Sequence, residues 1–280
     1  MKISVSSYSF NQYIKKGKMT QLDCIRAAKE MGFDAIEFTD LTVGEGEDEL
    51  TAAARLRAEA ERVGIEINAY TVGACLYYDS DQDSEAEVAR LCGKLDVAAA
   101  LGASVLRHDV CYKLGNSGNS RSFDLMLPTI AENARRITKY AKSLGIRTCT
   151  ENHGFVSQDS DRVERLFNAV SHDNFGLLVD IGNFLCVDED PITAVSRLAP
   201  YAIHVHAKDF IRTEEGGITT RGANHIAGCT LGEGVVPVAQ CIAILKRAGY
   251  SGYVSLEYEG SEDCIEGISR GLSVLKSLLA

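Results

Sequence analysis

A chain of 280 residues with 45% hydrophobic and 24% charged residues has room for one large α/β barrel or two modest domains around a sizeable core. Its net charge of −10 provides no broad basic footprint, so nucleic acid and anionic membrane surfaces are not expected partners. Met1 to Ser6 alternates like a strand, not like a signal peptide, and Lys94 and Asp96 interrupt even the long apolar stretch from Leu91 to Leu106, so no membrane span is expected.

Lys2 to Ser6 reads as a first strand, with Ile3 and Val5 on one face. Thr20 is placed to cap a helix in which Leu22, Ile25, Ala28 and Met31 recur at helical spacing, and Gly32 stops it. A second strand, Phe33 to Phe38, carries Glu37 near its end. Asp48 to Val63 is helical and stopped by Gly64, ahead of a third strand from Ile65 to Thr71. Ser84 to Leu101 is the next helix, and after Gly102 a fourth strand, Ser104 to Arg107, delivers His108 and Asp109. The unit then repeats. Helix Phe123 to Leu144 precedes strand Ile146 to Glu151, and helix Asp159 to Val170 precedes strand Phe175 to Asp180. Helix Pro191 to Leu198 precedes strand Tyr201 to His206, helix Pro237 to Ala248 precedes strand Tyr253 to Glu257, and Cys264 to Leu279 closes the chain as a helix. Cys24, Cys92, Cys149 and Cys241 fall inside these apolar patterns, as small buried thiols do, and a reducing, cytoplasmic setting is expected.

Eight strand–helix pairs without a linker or composition break predict an α/β fold, a single (β/α)8 TIM barrel over residues 1–280. A doubly wound open sheet would share the rhythm, but no G-x-G-x-x-G follows the first strand. Two segments are too long for tight turns, Cys111 to Ser122 and Phe210 to Val236. Both follow strands at the end where barrel enzymes keep their chemistry, and both are expected to cover a substrate.

In the stretch Tyr201 to Phe210, alternation puts His204, His206 and Lys208 on one face. A polar face in a sheet core needs a partner, and a metal, anion or polar substrate supplies one. Glu151, Asp180 and Glu257 end the neighbouring strands, so together with that of His206 four strand ends are expected to converge on one divalent ion. Any one of these acids alone is more often a helix cap or ion-pair partner. Three carboxylates crowded together without a cation repel and raise one another's pKa. Carboxylate oxygens with one imidazole suit Mn²⁺ or Mg²⁺ and also admit Co²⁺ or Zn²⁺. His108, with Arg107 and Asp109, ends the fourth strand and is expected to face the pocket, with Glu37 and Tyr70 as weaker guesses.

The motifs T-E-N-H (150–153), L-V-D-I-G-N (178–183), H-V-H-A-K-D (204–209), L-G-E-G-V-V-P (231–237) and Y-V-S-L-E-Y-E-G (253–260) span the second half of the chain. Together they resemble the sugar-phosphate isomerase/epimerase superfamily, the xylose-isomerase-like barrels, which include ketose 3-epimerases, inosose dehydratases and an apurinic endonuclease branch. The resemblance assigns Glu151, Asp180, His206 and Glu257 to the metal and implies that Glu151 and Glu257 double as an acid/base pair. It implies isomerisation or epimerisation through a metal-stabilised enediolate of a sugar or polyol derivative, or, as the alternative, dehydration of a keto-sugar or keto-inositol. Arg212 falls where epimerases keep an Arg that holds substrate oxygens, and His153 and Lys208 resemble the inosose-dehydratase side. Asn183 stands where ketose 3-epimerases carry a His, and Ser157 where they carry a Glu, which argues against a free ketohexose as substrate. Asn183 also replaces a metal-binding His of the endonuclease branch. A dimer or tetramer is expected only by family habit.

Overall fold

In the computed structural model, which describes residues 1–78, 80–111 and 122–280, short apolar strands and capped helices alternate until the sheet closes on itself. The order begins β1 (Lys2–Ser6), α1 (Asn11–Lys15), α2 (Gln21–Met31), β2 (Ala35–Thr39), α3 (Glu49–Val63), β3 (Glu66–Val72), α4 (Asp81–Leu101) and β4 (Val105–His108). It continues with α5 (Phe123–Ser143), β5 (Arg147–Glu151), α6 (Ser160–Val170), β6 (Phe175–Asp180), α7 (Pro191–Leu198) and β7 (Ala202–Ala207). After three further strands come α8 (Val238–Arg247), β11 (Tyr253–Leu256) and α9 (Cys264–Leu279). The closed ring runs β1-β11-β7-β6-β5-β4-β3-β2, all parallel, which is the (β/α)8 barrel.

Local chemistry explains the boundaries. Thr20 and Asp23 form a reciprocal capping box at the start of α2. Asp48, Ser80, Asp159 and Asp190 cap α3, α4, α6 and α7. Gly32, Gly64 and Gly102 end α2, α3 and α4 in the left-handed conformation, as their positions in the sequence imply. Cys24, Cys149 and Cys241 are buried thiols and Cys92 is half-buried. No helix among the described residues is long and apolar enough to cross a membrane.

The segment expected to be a long loop from Phe210 to Val236 is partly a sheet. Strands β8 (Asp209–Thr213), β9 (Ile218–Thr219) and β10 (His225–Cys229) pair antiparallel in the order β8-β10-β9. Such short strands among glycines and charges show no clear period in the sequence. The buried carboxylate of Asp209 ties this excursion down by accepting from the backbone N–H groups of Gly232, Gly234 and Val236 at 2.9, 2.9 and 3.0 Å. A Cβ at Gly234 would lie 2.2 Å from Asp209 Oδ1, so glycine is required there. Of the other long segment, residues 112–121 lie outside the described residues.

Candidate metal centre

Register fixes which strand residues look inward. Arg107 pairs with Cys149, Glu151 with Leu178, Asp180 with His206, and His206 with Ser255, so alternate residues around the ring share the interior face. At the carboxyl end of the barrel this face gathers Glu151, Asp180, His206 and Glu257, all buried, with their ligating atoms within 4.8 Å of one another. His206 Nδ1 points into the group, 3.6 Å from Glu151 Oε1, 3.9 Å from Asp180 Oδ2 and 3.5 Å from Glu257 Oε2.

A supporting layer holds these four side chains. Asn183 donates to Glu151 Oε1 at 2.9 Å, and Arg107 Nη2 lies 2.5 Å from Glu151 Oε2 and 2.7 Å from Asp109 Oδ1. Asp180 Oδ1 accepts from the backbone N–H groups of Gly182 and Asn183, both at 2.8 Å, while Asn152 brackets the Asp180 backbone. Beneath the quartet, Glu37 on β2 reaches across the barrel, with Oε1 2.7 Å from His206 Nε2 and Oε2 2.5 Å from His204 Nε2. Lys208 Nζ lies 3.3 Å from Asp180 Oδ2 and 3.0 Å from Glu259 Oε1, and also against Glu257 Oε2.

Crowding of acids sets the electrostatics. Burial pushes the Asp180 carboxyl up, and the charges of Glu151 and Glu257 add to this against Lys208, bringing it to about 7. For Glu257 burial opposes ionisation, but Lys208 and His206 prevail and hold it at about 2. Burial likewise opposes the Glu151 charge, and Arg107, then His206, hold it well below the usual carboxylate range. His206 is raised well above an ordinary imidazole despite burial, chiefly by Glu37, Glu257 and Glu151.

The donor set fits a divalent ion. His206 Nδ1 is buried without a hydrogen-bond partner among the described residues, and Asp180 Oδ2, also without a hydrogen bond, is met by Lys208 Nζ at 3.3 Å; a divalent ion among the four donors would satisfy both atoms. Metal–oxygen bonds of ~2.1 Å keep any two donors within ~4.2 Å, so atoms that lie within 4.8 Å of one another would need to draw in by at most about 0.6 Å. Glu151, Asp180, His206 and Glu257 would hold the ion.

Not every expected residue reaches this pocket. Its volume is about 230 Å³, and its walls include Arg107, Asp109, His153, Lys208 and Glu259 together with Glu151, His206 and Glu257. His153 is half-buried, with Nδ1 2.8 Å from Asp109 Oδ1. Against burial, that hydrogen bond raises its pKa. Asn183 braces Glu151 from behind. His108, expected to face the pocket, turns the other way. Its buried ring lies 6.3 Å from the ring of Phe175, with Nδ1 2.9 Å from the Asp109 carbonyl, and burial lowers its pKa. The inward positions on this strand belong to Arg107 and Asp109, by the period of two. Tyr70 is wrong for the same reason, pairing with the outward residues Phe38 and Leu106. Arg212, expected to hold substrate oxygens, is exposed and lines a separate groove with Asp188 and Asn224, because β8 carries it away from the barrel mouth. Glu259 was missed, although it lies two residues past Glu257 with the same inward parity.

A family profile described as a xylose isomerase-like TIM barrel matches residues 25–278. An inosose dehydratase from Lacticaseibacillus casei is 23% identical over 137 residues, a match covering 46% of this chain and 46% of that protein, so it spans about half of each. The crystal structure of D-psicose 3-epimerase from Clostridium cellulolyticum H10 superposes with a TM-score of 0.78 at 15% identity, over 100% of this chain and 99% of that one. A xylose isomerase-like TIM barrel protein from Mycobacterium smegmatis, in complex with magnesium, gives a TM-score of 0.72 at 22% identity, over 100% and 98% of the two chains. At these identities the structural likeness speaks to the fold.

Proposed function

The chain belongs to the xylose isomerase-like TIM barrel family, and on that premise we propose that it is a divalent-metal-dependent enzyme moving a proton beside the carbonyl of a sugar or polyol derivative. The reading is carried by the buried quartet Glu151, Asp180, His206 and Glu257, whose His206 Nδ1 has no hydrogen bond among the described residues. When bound, the ion supplies electrostatic stabilisation to the oxyanion of an enediolate. Everything else falls to side chains. Glu257 lines the pocket and takes the proton from the carbon next to the carbonyl, while Lys208 beside it offsets the neighbouring acid charges. For epimerisation or isomerisation, the first reading, a proton returns to carbon. If it comes from Glu151 on the other face, that carboxylate must first loosen its contact with Arg107.

A second reading, dehydration of a keto-sugar or keto-inositol, is favoured by that same pinning of Glu151 together with the His153–Asp109 pair. His153 lines the pocket and is positioned to protonate a departing hydroxyl. In that case Glu257 removes the proton, the carbon–oxygen bond to the β-hydroxyl breaks as the double bond forms, and water leaves.

The test is incubation of Mn²⁺-loaded protein with a panel of ketoses, inososes and keto-glycosides in D2O, read by mass spectrometry and NMR. Deuterium beside the carbonyl at unchanged formula establishes epimerisation or isomerisation, and loss of water establishes dehydration. Glu257→Gln should lower turnover ~10²–10⁴-fold while leaving substrate affinity within a few-fold. No exchange and no product across the panel refutes the reading.

A further inference from the structure

A second cavity, of about 330 Å³, opens off the metal pocket and shares His153, Lys208 and Glu259 with it. Phe155, Cys186 and Ile218 are among its other lining residues. The inner pocket alone, at about 230 Å³, falls below the ~300–1,000 Å³ usual for a small-molecule site, whereas the two together lie within it.

Phe155 is the unusual member. Its φ of +65° is left-handed, a conformation that bulky L residues rarely adopt and that the surrounding structure must hold in place. The residue is nevertheless 42% exposed, so core burial does not explain the conformation. Hydrogen bonds fix its backbone on both sides: Phe155 N–H donates to Gln158 Oε1 at 2.7 Å, and Arg221 Nη2 donates to the Phe155 carbonyl at 2.5 Å. Gln158 in turn donates to the carbonyl of Asn183, the residue that braces Glu151, at 3.0 Å. An aromatic ring is thus held at the cavity wall by the same network that holds a member of the quartet. A ring laid against it would bury apolar surface that folding leaves open.

We propose that this annex is a substrate subsite: the reacting keto ring sits over the quartet, and a flat aromatic substituent joined to it stacks on Phe155. The substrate class is therefore an aryl-substituted keto-sugar or keto-cyclitol rather than a free monosaccharide. The assignment rests on the reading of the quartet as a sugar- or polyol-binding centre.

Calorimetric titration of the Mn²⁺-loaded protein with phenyl β-D-glucopyranoside and methyl β-D-glucopyranoside tests it without requiring turnover. The phenyl compound should bind ~10-fold or more tightly, as stacking and ring burial imply. Phe155→Ala should erase that preference and leave the affinity for the methyl compound unchanged, whereas Phe155→Tyr should keep the preference. Equal affinities in the parent protein or a preference that survives Phe155→Ala overturns the proposal, whereas no binding of either compound overturns the reading of the quartet as a sugar centre and the proposal with it. A Phe155→Ala change confined to self-association in sedimentation, with the preference intact, also overturns it by assigning the ring to a protein contact. Because affinity is read and not chemistry, a failure here is distinguishable from silence in the D2O panel.

Discussion

Replacing Glu37 by Gln tests how the barrel interior prepares the quartet. Each Glu37 oxygen faces one imidazole nitrogen, 2.7 Å to His206 Nε2 and 2.5 Å to His204 Nε2, and the side chain is fully buried. As a carboxylate it bonds His204 Nε2 and pairs with His206 Nε2, so when an ion displaces the proton that the three acids favour on Nδ1, the remaining His206 proton stays on Nε2 and the Nδ1 lone pair would face the ion. Glutamine keeps the shape but turns one acceptor into a donor. If that donor faces His206, the imidazole relieves the clash by moving its proton to Nδ1, the very atom that would bind the ion. Loss of such an outer partner weakens metal affinity ~10–100-fold, or about 1.4–2.7 kcal/mol. Stabilisation by ligand follows mass action. An ion held at ~100 times the parent Kd adds ~2.7 kcal/mol, which a ~30-fold weaker site reduces to ~0.9 kcal/mol at the same concentration. Mn²⁺ titration calorimetry together with thermal melts, with and without the ion, reads both numbers. A Glu37→Gln protein that stays folded by circular dichroism and binds Mn²⁺ within twofold of the parent would refute the positioning role.

Ion binding should also depend on pH, because the ion must displace the proton that burial and the neighbouring carboxylates keep on Asp180 up to about 7. The Asp180 component of Mn²⁺ affinity should rise as pH climbs to about 7 and level off above it, while the His206 proton, held well above the ordinary imidazole range, keeps a slope beyond that point; Asp180→Asn should bind weakly and lack the first component. For the ion-free fold the sign reverses: a carboxyl raised from 3.8 contributes stability at low pH and loses it as pH rises through about 7, so the ion-free melting temperature should fall across that window relative to Asp180→Asn. At Gly182 a Cβ would lie 2.7 Å from Lys208 Cγ and 3.1 Å from the Lys208 carbonyl. Gly182→Ala should therefore cost ~1–3 kcal/mol by overpacking and lower kcat by displacing the ammonium, both measurable by thermal melts and the D2O assay. An unchanged melting temperature and rate would show that Lys208 has room to move.

The eight-fold rhythm was legible because its causes are local. Caps such as Thr20 and Asp48, and stops such as Gly32 and Gly64, act within a turn of where they stand, and short apolar runs between them have few alternatives to parallel strands. The acids at the ends of β5, β6 and β11 were legible for a related reason, since a charge closing an apolar strand stands out against its neighbours. Orientation was not. Arg107, His108 and Asp109 are all polar, so alternation on β4 has no apolar face to mark the inside; only the pairing of Arg107 with Cys149 decides that His108 points out. The Glu37–His204 contact joins residues 167 apart and exists only because the ring closes, bringing β2 opposite β7. Arg212 was lost to the site by the β8–β10 sheet, whose short strands are held by pairing and by Asp209. What the chain determines by itself is the succession of elements and the acids that end them; closure of the barrel decides which side chains meet, because a period of two names two faces without saying which is inside.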